Sequence, residues 1–95
     1  MKKFVLLAHG EMERTPEFQQ AHRAWWSSIR DHVVDSGNPL FNGRNVTRDR
    51  EVSELTADQS PVLGYSIVEA ESIEEAVALL AGCPMDTWVY EAMPM

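Results

Sequence analysis

The amino-acid sequence predicts an α+β fold in which two helices cover one face of an antiparallel sheet. Three observations lead to this prediction: the chain opens with an apolar run, two segments begin with helix-capping signals, and residues typical of strands follow each segment. The predicted order is strand, helix, a hairpin region, strand, helix, strand. Two βαβ-like halves of this size favour a ferredoxin-like βαββαβ arrangement.

The first half of the chain contains one strand and one helix. Residues 4–8 are apolar throughout, which is typical of a strand that is buried on both faces. Thr15 and Pro16 suit the N-cap and the first helical position, so we expect a helix from there to about Ser36. Gly37 is expected to end this helix.

The second half contains four β segments and one helix. Two short β-like pieces, around 45–47 and 51–55, flank a turn and predict a hairpin. Residues 61–70 have the pattern of a strand, in which Gly64 marks a bulge or a close backbone approach. A last strand is expected over residues 87–93.

The second helix is predicted from a capping box, with Ser72 at the N-cap and Glu75 three residues later. We expect it to stop at Gly82. Its predicted apolar face consists of Ile73, Ala76, Val77 and Leu80.

Length and charge limit the kinds of partner. Ninety-five residues are enough for one domain, spanning 1–95. Eight basic against fifteen acidic residues give a net charge of −7, which repels nucleic acids and anionic membranes. Cys83 is the single cysteine, and the N-terminal apolar run is shorter than a signal peptide requires, so a cytoplasmic protein is expected.

Two helices on one face leave the other face of the predicted sheet uncovered. Depending on the register of the strands, Trp88, Tyr90, Val68 or Tyr65 would lie on it. An exposed apolar face is most simply buried against a second copy, so we expect a homodimer.

A histidine interrupts the apolar stripe of the first helix. Phe18, His22, Trp25 and Ile29 recur at three- and four-residue steps, so His22 lies on the face that packs against the sheet. Two interpretations remain open: a hydrogen-bonded core histidine, or a general base at the bottom of a cleft between helix and sheet. Trp26, one step round the helix, either lines the cleft or covers the helix edge.

No metal and no cofactor are predicted. His22 and His32 lie ten residues apart, or ~15 Å along a helix, which is too far to share an ion. His9 and Cys83 do not complete a metal-ligand motif, and neither a nucleophile elbow nor a glycine-rich phosphate loop is present.

Several segments resemble the YCII-related family, which includes the DGPF-domain proteins. The resemblance covers nearly the whole chain and is carried by "MKKFVLLAHG", "AHRAWWSSI", "LGYSIVEAESIEEAVALLAGCP" and "VYEAMP". It implies a ferredoxin-like dimeric α/β barrel. The family's helix-one histidine corresponds to His22, and Glu91 matches its acid in the last strand.

The chain departs from the family pattern at three places. In part of the family an Asp-Pro pair after the second helix supplies a partner to the histidine, but Cys83-Pro84 stands here. The Asp-Gly-Pro-Phe segment is missing, and Met93 replaces a usual arginine. The resemblance therefore implies the fold, but this chain lacks the aspartate that pairs with the histidine in part of the family.

The sequence supports three hypotheses of function. In the first, the protein is a lyase or isomerase for a small organic molecule, with His22 as base and Glu91, Asp86 or Asp49 orienting it. Trp26, His9 and Tyr65 are then the candidate substrate-binding residues. In the second, the same cleft only binds a metabolite, and in the third the protein is a dimeric accessory domain.

Overall fold

The computed structural model describes residues 1–56, 58 and 61–94. It contains six strands, two α-helices and one 3₁₀ helix within these residues. In chain order they are β1 Lys2–His9, α1 Pro16–Ser28, the 3₁₀ helix Arg30–His32, β2 Val33–Pro39, β3 Arg44–Val46, β4 Val52–Glu54, β5 Val62–Ala70, α2 Ile73–Ala78 and β6 Asp86–Glu91.

The main sheet has four strands in the order β2-β5-β1-β6, and every neighbouring pair is antiparallel. With α1 between β1 and β2 and α2 between β5 and β6, this is the ferredoxin-like βαββαβ arrangement. The predicted fold class is therefore confirmed. Strands β3 and β4 pair with each other as a separate hairpin inserted between β2 and β5.

The first helix begins as predicted but ends earlier. Thr15 is its N-cap and accepts a hydrogen bond from the Phe18 backbone at 3.0 Å, with Pro16 as the first helical residue. The helix ends at Ser28, whose hydroxyl donates to the Trp25 carbonyl at 2.6 Å and so competes with helix continuation. The prediction of a helix to about Ser36 is wrong.

Residues 33–39 form strand β2 instead of the last turns of a helix. The β-branched pair Val33 and Val34 favours this conformation, and Val33 pairs with Val68 of β5. Gly37 does not end a helix: it lies at φ 74° in an irregular part of β2, where the pairing skips from Asp35 to Asn38. A Cβ at Gly37 would lie 1.7 Å from the Tyr65 carbonyl oxygen, so only glycine fits there.

The N-cap of α2 agrees with the prediction, but the predicted apolar face of this helix does not. Ser72 accepts from the Glu75 backbone at 3.1 Å, and the Glu75 carboxylate accepts from the Glu71 backbone at 3.3 Å. Ala76 is fully buried, whereas Val77 is more than half exposed. The predicted apolar face was wrong at this edge, because the helix is short and packs through its Ala76 side.

The hydrophobic core lies on one side of the sheet, under the helices. Side chains on this side belong to alternate strand residues, so Phe4 and Leu6 of β1 share it with Val68 of β5. Trp25 and Ile29 cover them from the end of α1, and Ala76 covers them from α2.

The other side of the sheet carries no helix among the described residues. Two cross-strand rows lie there, Ile67–Val5–Tyr90 and Tyr65–Leu7–Trp88. We call the residues of these rows the open face. Val68 is fully buried under the helices, so it does not belong there. Val5 and Leu7 are only half-buried, so β1 is not buried on both faces within one chain.

No helix in the described part of the chain is long and apolar enough to span a membrane.

Candidate functional site

A cavity of about 660 Å³ lies between α1 and the sheet, on the same side as the core. Its floor is the Leu6 and Ala8 end of β1, and one wall is the α1 segment that carries His22. The irregular part of β2, residues 36–39, forms another wall, and the loop between α2 and β6 forms a third. Most of the surface that faces the cavity is apolar.

His22 is half-buried, and one of its two ring nitrogens is already bonded. The Trp26 indole N–H donates to His22 Nε2 at 3.0 Å, one helical turn further along α1. Since residues four apart lie on one face of a helix, this bond follows from the spacing of the two residues. The hydrogen bonds between described residues leave His22 Nδ1 without a partner.

This hydrogen bond determines where the proton of neutral His22 sits. The indole nitrogen can only donate, so Nε2 must be the unprotonated nitrogen and Nδ1 carries the hydrogen. Burial also lowers the pKa of His22 below its ordinary value, which favours the neutral ring. His22 therefore offers the cavity a hydrogen-bond donor rather than the free lone pair expected of a general base.

Aromatic rings surround the imidazole. Phe18 stacks on His22 with ring centroids 5.7 Å apart, and Trp25 lies at 6.3 Å on the same stripe. Trp26 meets the imidazole edge-on at 6.1 Å. The Trp25 indole N–H is bonded to the Leu79 carbonyl at 2.7 Å, so this tryptophan ties α1 to the segment after α2. The imidazole of His22 therefore packs among three aromatic rings of α1.

The wall formed by β2 was not predicted from the sequence. Gly37 and Asn38 line the cavity because the irregular pairing of β2 with β5 turns this segment toward α1. The Asn38 amide lies 3.4 Å from the Tyr65 hydroxyl. The Asn-Pro pair at 38–39 and the glycine before it are the sequence signals that could have indicated an irregular edge strand.

The third wall was also missed. Cys83, Met85 and Thr87 line the cavity, and the Cys83 thiol lies 3.5 Å from the Met85 carbonyl oxygen. The Thr87 hydroxyl donates to the same carbonyl at 3.1 Å. The pairing of Ala8 with Thr87 brings this corner to the cavity floor, and sequence spacing gave no sign of that register.

The structure brings together only some of the predicted site residues. His22 and Trp26 line the cavity, and their roles in binding or catalysis stay predictions. Tyr65 also borders the cavity, but its pairing with Leu7 places its side chain on the open face, and its role in substrate binding stays a prediction. His9 does not line the cavity, because the alternation of β1 places its ring on the other side of the sheet, stacked on Trp88 at 4.1 Å.

None of the carboxylates predicted to orient His22 lines the cavity. Glu91 pairs with Phe4 at the far end of β1 and lies 3.8 Å from the Lys2 ammonium group. Asp86 is exposed beside His9, and Asp49 lies in the turn of the β3–β4 hairpin. The expected contact of an acid with His22 is therefore not formed, because strand register places each candidate elsewhere.

Among the described residues, no three side chains of histidine, cysteine, aspartate or glutamate come together as metal ligands.

Comparisons with known proteins support the fold. No family model matches the chain, and no curated protein matches it in sequence. Among solved structures it is similar to the 5-chloro-2-hydroxyhydroquinone dehydrochlorinase of Burkholderia phenoliruptrix, solved in complex with 2,5-dihydroxybenzoquinone. The TM-score is 0.50 at 17% sequence identity, over 96% of this chain and 93% of that one. At this identity the similarity is one of fold.

Proposed function

We propose that the cavity binds a small, flat organic molecule, and that the protein is a lyase or isomerase that acts on it. The main support is the position of His22, which lines an apolar cavity with one ring nitrogen held and the other unbonded. Ligand cavities are typically apolar, with a few well-placed polar groups that fix orientation. The aromatic rings around His22 favour a planar ligand.

The proposed role of His22 is to stabilise negative charge on an oxygen of the substrate. A lyase or isomerase reaction of this type removes a proton from a substrate carbon and leaves charge on a conjugated oxygen. The His22 Nδ1–H donates to that oxygen while the ring stays neutral, as a neutral imidazole does in other enzymes. The proton goes to water, which enters through the open side of the cavity.

A second function, binding without turnover, is favoured by one specific observation. No carboxylate lines the cavity among the described residues, so no acidic side chain there can take up the substrate proton or orient the imidazole. A carrier or sensor of the same molecule needs only the donor and the apolar walls.

The first test is binding of 2,5-dihydroxybenzoquinone, the molecule bound by the structural neighbour, measured by calorimetry. We expect binding by the natural protein and by His32→Gln, and a loss of at least tenfold in affinity for His22→Leu. His32 is the matched control, because it is a half-buried histidine whose Nδ1 is bonded to the Glu69 carbonyl away from the cavity. Equal affinities for all three proteins would reject the site.

The second test separates an enzyme from a binding protein. Chloride release from 5-chloro-2-hydroxyhydroquinone, followed with a chloride electrode, is expected from the natural protein and not from His22→Leu. Binding of the quinone without chloride release or any other change of the substrate would favour the carrier function.

We also propose that the chain belongs to the YCII-related family and works as a homodimer. The ferredoxin-like topology supports the family assignment, which the sequence segments first indicated. The open face supports the dimer: Trp88 is 39% exposed and Tyr90 57% exposed in one chain. Burying such residues against a second copy removes apolar surface from water.

A further inference from the structure

We propose that the molecule bound in the cavity is an organic anion, a conjugated carboxylate or phenolate, rather than a neutral or cationic compound. This inference rests on the proposed function, because it names the chemical class of the ligand in the same cavity. Three properties of the described lining residues carry it: the donor character of His22, the single charged side chain, and the lack of any acid.

The first property is that His22 can donate to a ligand but cannot accept from it. Its Nε2 lone pair is used by the Trp26 indole N–H, and Nδ1 carries the hydrogen. The ligand atom that meets Nδ1 must therefore be an acceptor. A hydrogen bond to a charged acceptor is about twice as strong as one between neutral groups, so an anionic oxygen gains most.

The second property is the charge of Arg23, the residue next to His22 on α1. Arg23 is the one charged side chain that lines the cavity within the described part of the chain. The ion pairs found between described residues do not include it, so its charge is not neutralised by a neighbouring carboxylate. A guanidinium at the edge of an apolar cavity is well suited to a planar carboxylate.

The third property is the lack of acidic side chains in the lining. The chain has 15 acidic residues among 95, so about three would be expected among the 20 residues that line the cavity if acids were spread evenly. None of the described lining residues is acidic. The described lining therefore carries one positive charge and no negative charge, although the net charge of the protein is −7, and such a lining favours an anion over a cation.

The rest of the lining sets the size and shape of the anion. Leu6, Ala8 and Phe18 give apolar surface, and a volume of about 660 Å³ is within the range of small-molecule sites. Arg23 is exposed, so its guanidinium meets the ligand at the edge of the cavity and not inside it. A single aromatic ring that carries one or two anionic oxygens fits these properties.

The test compares benzoate with benzyl alcohol, two ligands of similar size that differ in charge. Nuclear magnetic resonance titrations follow the Trp25 and Trp26 indole signals in the natural protein, Arg23→Gln and Arg30→Gln. Arg30 is the matched control, because it lies in the 3₁₀ helix and does not line the cavity. We expect benzoate to bind more tightly than benzyl alcohol, and Arg23→Gln to weaken benzoate binding about tenfold, or about 1.4 kcal/mol.

The controls separate the ligand class from the site itself. Arg30→Gln should leave the affinity for benzoate unchanged, and Arg23→Gln should leave the affinity for benzyl alcohol unchanged. If both ligands bind equally, or if Arg23→Gln and Arg30→Gln behave alike, the anion proposal is wrong while the cavity remains a binding site. If neither ligand shifts the indole signals at millimolar concentration, both the anion proposal and the proposed function are rejected.

Discussion

The two sides of the sheet carry similar residues in different settings. Under the helices, Trp25 is 5% exposed, and its indole N–H is bonded to a carbonyl. On the open face, Trp88 is 39% exposed and its ring stacks on His9. The helix side also holds a cavity lined by His22, whose Nε2 is hydrogen-bonded and whose Nδ1 has no partner among the described residues. On the other side of the sheet, the His9 ring stacks on the Trp88 indole.

The difference arises because the side chains of one strand alternate between the two sides of the sheet. Along β1, Leu6 and Ala8 face the cavity, while Leu7 and His9 face the other way. Residues that are adjacent in the sequence of β1 therefore face opposite sides of the sheet. Our proposals place ligand binding on the helix side and association of two copies on the open face, and the following predictions test this division.

The largest expected effect is the loss of the dimer. Trp88→Lys places a charge on the open face, on its edge strand β6, and an unpaired charge in an apolar interface is costly. Sedimentation of the natural protein at micromolar concentration should give about twice 10.8 kDa, and the variant should give the mass of one chain. Circular dichroism should show an unchanged fold. A natural protein that is already a monomer would remove the role of the open face.

Trp25→Ala should cause the largest loss of stability. It removes a buried ring and the bond to the Leu79 carbonyl, and truncation of a buried tryptophan costs about 3–5 kcal/mol. Chemical denaturation measures the free energy of unfolding. Tyr90→Ala on the open face is the control and should cost far less per chain once the protein is diluted to a monomer. Similar losses for both variants would mean that the open face is packed like the core.

Trp26→Phe should change the tautomer of His22 with little change in stability. Without the indole donor, Nε2 is free to carry the hydrogen, and the lost bond costs about 0.5–1.5 kcal/mol. Long-range ¹H–¹⁵N correlation spectra distinguish protonated from unprotonated ring nitrogens. Trp25→Phe is the matched control, because its indole bonds to a backbone carbonyl and not to the imidazole. A tautomer that is the same in all three proteins would contradict our assignment of Nδ1–H.

The smallest effect concerns pH. Burial lowers the pKa of His22 in the folded protein, so below about 6.5 the unfolded chain binds more protons at this residue than the folded one does. Stability from this group is therefore complete above the unfolded pKa and falls as the pH drops below it. The free energy of unfolding of His22→Leu, measured from pH 8 to pH 5, should fall less steeply than that of the natural protein. Parallel curves would show that burial does not depress this pKa.

The elements that carry strong local signals could be predicted from the sequence. Thr15 with Pro16 and Ser72 with Glu75 indicate helix starts, because their side chains cap the first free backbone N–H groups. Strand β5 could be read from its apolar pattern, and the bulge at Gly64 coincides with a register shift opposite Ala8. These features depend on residues close together in the chain.

Strand β2 could not be predicted, because the helical spacing of apolar residues in α1 continues into the start of this strand. The three- and four-residue apolar spacing of α1 continues to His32 and Val33, since a 3₁₀ turn follows the helix with a similar periodicity. Gly37 was expected to end the helix, but it lies within strand β2, where it adopts a positive φ of 74°. Pairing with β5, which is distant in the sequence, decides the conformation here, and the pattern of a single sequence does not report it.

Only the part of the candidate site that lies on a single helix could be predicted from the sequence. His22 and Trp26 lie four residues apart on α1, so their proximity follows from helix geometry. The proximity of Cys83 and Thr87 to Ala8, and the separation of Glu91 from His22, follow instead from the register of β6 on β1. A one-residue change of that register would exchange the two sides of the strand.

The three tryptophans of this chain occupy three different environments, one in the core, one at the edge of the cavity and one on the open face. In a set of variants that each keep one tryptophan, the fluorescence of that tryptophan would therefore report on one environment only. Emission from Trp25 would follow unfolding, that from Trp26 would follow occupation of the cavity, and that from Trp88 would follow association.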